Sequence, residues 1–151
     1  MLFIGILQLA YGEGPYDEPI DQLIELRKEL GKIYGDYRTY ESDKMKKACE
    51  DMVEVCKKIE KQLGKVLEIS KSKGDENSSI PVQVETVQQK ITTFRNNIKI
   101  KGGCKELAQD KFVFERLIGN DDIDSPSLRG VLTTLIKNLK LKNQIFKKED
   151  E

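Results

Sequence analysis

Met45-x-x-x-Cys49-x-x-Met52-x-x-x-Cys56-x-x-Ile59-x-x-x-Leu63-x-x-Val66 is the stretch whose reading decides the fold. Its apolar residues recur at intervals that alternate between four and three. That is a heptad seam, which turns one stripe of a long helix toward partner helices. The seam predicts a helix over about 43–70. Before it, Ile20, Leu23, Ile24, Leu30, Ile33, Tyr34 and Tyr37 keep one face of a first helix. Glu18-Pro19 opens that helix, because proline suits its first position and acids suit its positive end.

After the seam comes a polar, turn-forming loop over 70–79. Ser79-Ile80-Pro81 restarts a helix with Ser79 as its cap. Val84, Val87, Ile91, Phe94 and Ile98 repeat the four-three rhythm until Gly102-Gly103 stops it. One shorter helix carries Leu107, Ala108, Phe112, Val113, Leu117 and Ile118 and ends at Gly119. Asp124-Ser125-Pro126 opens the last, with Leu128, Leu132, Leu135, Ile136 and Leu139 on its apolar face. No window alternates with period two without reading better as helix. The expectation is an all-α, single-domain bundle of four to five mostly antiparallel helices over 13–146. A charged tail over 147–151 is expected to be disordered.

Residues 1–12 differ from everything that follows. They are uncharged and mostly apolar, too short to cross a bilayer as a helix. They fit the apolar core of a secretory signal peptide, with Ala10-x-Gly12 as the small-x-small cleavage pattern. The segment has no basic start, as a signal truncated to an internal Met would have none. The competing reading tucks these residues into the core.

Three cysteines follow from that choice of compartment. Cys49 and Cys56, seven residues apart on one helix, stand about 10.5 Å apart along its axis, too far to bond. If the second and third long helices form a hairpin around Asn77, Cys104 faces residues 48 to 50. The expected disulfide is therefore Cys49–Cys104, with Cys56 a buried free thiol. Closing a loop of about 55 residues contributes on the order of 4 kcal/mol in the chain-entropy model. The alternative is three reduced cysteines acting as small core residues. Asn77-Ser78-Ser79 is an N-glycosylation sequon in the same loop and points to a secreted glycoprotein.

The 26 basic and 26 acidic residues cancel, leaving no global field toward nucleic acid or membrane. The charges fall in blocks: 13–30 is acidic, 86–105 holds bases and no acid, 106–124 is acidic, and 125–148 holds bases alone. Blocks of alternating sign would match antiparallel neighbours, although solvated helix faces explain them as well. With no histidine, the usual general base, the histidine-based triads and histidine-type zinc sites are excluded. Three cysteines fall short of a four-thiolate metal site. The run from Asn120 to Ser125 resembles an EF-hand start but lacks its sixth-position glycine and has Val131 where glutamate belongs. It reads as a turn and cap. No cofactor, metal or catalytic residue is expected.

Binding remains. The last helix sets Arg129, Lys137, Lys140 and Lys142 beside an apolar stripe, as in helices that dock on a partner or a membrane surface. In an ordinary bundle helix, the same bases would complement its negative end. Tyr34, Tyr37 and Tyr40 form either an aromatic patch or the end of the core. The expectation is a small secreted, non-enzymatic binding protein that engages another protein in an extracellular fluid, in an effector, inhibitor or cytokine-like role. The alternatives are a carrier of lipid or a small hydrophobic ligand inside the bundle, and an intracellular coiled-coil adaptor.

Overall fold

A computed structural model describes residues 14–150; the apolar segment 1–12 lies outside them. Among the described residues there are six helices and no strand: α1 (Asp17–Tyr37), α2 (Ser42–Ser72), α3 (Ser79–Lys101), α4 (Cys104–Gln109), α5 (Lys111–Ile118) and α6 (Leu128–Asp150). The four long ones make a closed ring in which α1 packs on α2, α2 on α3, α3 on α6 and α6 back on α1. Arg27 reaches Thr133 and Asn143 reaches Asp17, so α1 and α6 run antiparallel. Leu67 of α2 lies beside Pro81 of α3, Glu60 meets Gln88 and Arg95, and Glu50 lies beside Lys99, so that pair is antiparallel too. The bundle therefore goes up, down, up and down. Short helices α4 and α5 cover the pole where α1 and α3 end.

Every seam residue of α2 from Met45 to Val66 is buried. So are Ala48, Val55 and Gln62, which widen the stripe into two rows. One row faces α1 and the other faces α3, which is why α2 needs more than a two-helix seam. From α6, Leu128, Leu132, Leu135, Ile136 and Leu139 complete the interior.

Four details depart from the sequence reading, three of them through a cap. Ser78, not Ser79, caps α3, its hydroxyl accepting from the Ile80 N–H at 3.2 Å. The segment after Gly103 is two helices rather than one. Asp110 breaks it, because its carboxylate accepts the Val113 N–H at 3.2 Å and starts α5 afresh. The last helix starts at Leu128, since Ser127 takes the capping position and accepts from the Gly130 N–H. At its other end the backbone is helical to Asp150, where a disordered tail was expected from 147. Of the two readings of the charge blocks, matching by sign does not describe α3 and α6, which are both basic and are neighbours.

Phe114 of α5 is fully buried against Tyr34, Tyr37 and Phe94, whereas Phe112 is 73% exposed. Phe114→Ala is expected to cost about 3–5 kcal/mol of unfolding free energy, as a buried ring does when removed. Phe112→Ala should stay within about 0.5 kcal/mol. Chemical denaturation of the two variants side by side checks this, and equal losses would refute the assigned packing.

Candidate functional site

Two poles and one helix face hold the residues singled out in the sequence. At the upper pole, Tyr37 and Phe114 stack with ring centroids 4.4 Å apart, and Tyr34 adds a third ring 5.8 Å from Tyr37. The Tyr37 hydroxyl donates to the Ala108 carbonyl at 2.5 Å, tying α4 to α1. Burial pushes the Tyr37 phenol up to about 12. Tyr34 and Tyr37 are thus core residues, because α5 folds over the face they share. Tyr40 is half-buried with the Lys44 ammonium 5.6 Å from its ring.

Beside this pole the structure brings Cys49 and Cys104 together. Their side chains lie close enough for each to bear on the other's ionisation. Burial is the chief cause holding both thiols above their ordinary value; the neighbouring thiol raises Cys49 further and draws Cys104 down. The expected bridge is not closed: Cys49, Cys56 and Cys104 are all free thiols. Cys56 is buried, which pushes its thiol up to about 12. Cys104 alone is half-exposed, on a groove shared with Val53, Ile98, Glu50 and Lys99.

The lower pole is organised by Asp75, only 8% exposed in the turn between α2 and α3. It pairs with Lys142 at 2.9 Å and accepts from the Tyr16 hydroxyl at 3.3 Å. Burial is the main reason the Tyr16 phenol rises to about 12. Asn77, two residues on, is exposed, as is Ser79 of its sequon. The turn that carries the sequon is therefore anchored to both α1's entry and α6.

On α6 the four basic candidates separate. Lys142 is committed to Asp75, and Arg129 donates to the Gly119 carbonyl at 2.8 Å. Lys137 and Lys140 are exposed, and neither has an ion-pair partner among the described residues. Between and beyond them stand two exposed apolar residues, Leu141 at 46% and Ile145 at 48%. The sequence reading missed this pair. Its signal was an apolar i, i+4 repeat on the lysine side of the helix.

No protein-family model matches the chain, and no curated protein or solved structure shows significant similarity to it.

Two outcomes test this description. A thiol reagent applied to the folded protein should modify Cys104 quickly and Cys49 and Cys56 only after denaturant is added; three equally fast thiols would contradict the burial. For the tyrosines, the folded pKa lies above the unfolded value of about 10. Their contribution is fully present below pH 10 and is lost as pH rises toward 12. Denaturation midpoints should fall over that window, and less steeply in Tyr37→Phe than in the parent chain.

Proposed function

We propose that this chain is a small, exported, non-enzymatic helical protein that binds another protein through the outward face of α6. The observation that carries the reading is the pairing of exposed Leu141 and Ile145 with the unpaired Lys137 and Lys140. A shallow groove beside them, lined by Arg27, Thr133, Ile136 and Leu141 together with the two lysines, follows the α1–α6 boundary. Such a face suits a partner protein presenting acidic groups around an apolar centre.

Three features support export: the apolar residues 1–12, the exposed sequon at Asn77, and the adjacency of Cys49 and Cys104, which an oxidising compartment would join. The proposed bridge would tie α2 to α4. Against an adaptor that pairs between chains, the α2 seam is already spent on α1 and α3. Against an interior carrier, the facing rows of all four long helices fill the centre with side chains.

Expression in a secreting eukaryotic cell tests the export half. The medium should contain a chain lacking residues 1–12, glycosylated at Asn77, and lighter by two hydrogens before reduction than after. Full-length chain retained in the cell with three free thiols would end that reading. For the binding half, proteins captured from the surrounding fluid by the parent chain should be lost with the double variant Leu141→Glu, Ile145→Glu. Identical capture by both would reject the α6 face.

A further inference from the structure

A second surface carries an inference independent of export and of the α6 face. Between the C-terminal half of α1, helix α5 and the start of α6 lies a cleft lined by Arg38, Arg116 and Arg129. These are three of the chain's five arginines. Glu115 is the only acid in its lining. None of the three guanidinium groups has an ion-pair partner among the described residues, whereas Arg95 is paired with Glu60.

Arg129 is held ready rather than free. Its Nη1 donates to the Gly119 carbonyl. Its Nη2 lies over Gly31, at a point only 2.9 Å from where a β-carbon would stand. Its Nε is buried and has no hydrogen-bond partner. A guanidinium fixed on one edge and unsatisfied on another is a preorganised oxyanion donor. Arg38 lines the same cleft as Arg129 and Tyr34; burial and then Glu115 hold the Tyr34 hydroxyl above its ordinary pKa, and both arginines oppose that rise. Arg116 rests on the exposed Phe112 ring, 5.5 Å from its centroid, and a rotamer change frees it. Gly35 leaves open space in the α1 wall. Ser125 and Ser127 hydrogen-bond to each other within the lining, and Ser127 donates to the Asn120 carbonyl.

We propose that this cleft binds the phosphate group of a small soluble molecule. Three guanidinium groups against one carboxylate suit a dianion better than a single carboxylate ligand. Asp121, Asp122 and Asp124, exposed on the adjoining loop, would repel a broad anionic surface such as a membrane or a nucleic acid.

The test is a titration of the folded chain with inorganic phosphate, at pH 7.5 and constant ionic strength set with chloride, followed by nitrogen-15 NMR. The Arg129 Nε–H signal and the amides of residues 128–130 should shift and saturate, with half-saturation at about 1 mM. Arg38→Gln alters an exposed side chain and should leave the unfolding midpoint unchanged while weakening phosphate by about tenfold or more. Glu115→Gln, which removes the opposing charge, should tighten it several-fold. Lys137→Gln, outside the cleft, should change nothing. Shifts that remain linear with phosphate, or a half-saturation unchanged in Arg38→Gln, would overturn the proposal.

Discussion

The two-row burial of α2 is the constraint on which the other helices depend. A helix with one apolar row can satisfy itself against a single partner. The Met45–Val66 seam and the row of Ala48, Val55 and Gln62 beside it cannot both be covered by one neighbour. Helices α1 and α3 must therefore flank α2, and their far sides still carry uncovered residues such as Leu23, Leu30, Val87 and Phe94. Helix α6 fills the remaining gap and closes the ring. Burial near 25 cal/mol per Å² of apolar surface makes this requirement far stronger than exposed ion pairs at a few tenths of a kcal/mol each. It explains why α6 settles beside α3 although both are basic.

The same hierarchy explains what could be read from the chain without a structure. Long elements with a sustained four-three rhythm were legible, because burial imposes that rhythm on every turn. The hairpin register that sets Cys104 against Cys49 was legible from the position of one loop. Caps were not. Ser78 and Ser79 are chemically equal candidates, as are Asp124, Ser125 and Ser127, and only backbone geometry selects among them. Asp110 falls within the stretch read as one short helix, and its capping role appears only once Val113 turns back onto it.

Surface chemistry was the least legible layer. The tyrosines at three-residue spacing had two readings, and α5 decided between them by placing Phe114 over Tyr34 and Tyr37. The arginine cleft had no sequence signature, since Arg38 stands far along the chain from Arg116 and Arg129 and is brought to them by the α1–α6 pairing. Even the basic stripe of α6 was a composite: of the four bases among its described side chains, Lys142 is structural, Arg129 faces the cleft, and Lys137 and Lys140 meet solvent as free charges.

The turn around Asp75 has one more consequence. A segment rich in glycine, serine and lysine is ordinarily where a protease enters, yet here the Asp75 N–H donates to the Ser70 carbonyl while its side chain holds Lys142 and Tyr16. The loop before α6 is fastened in a similar way, with Thr133 and Thr134 donating to the Asp121 and Ile123 carbonyls. Cleavage needs several residues to leave the surface together, and at both places that means breaking contacts to a long helix. At these two turns, resistance to a protease is therefore expected to follow the unfolding of the long helices rather than loop composition.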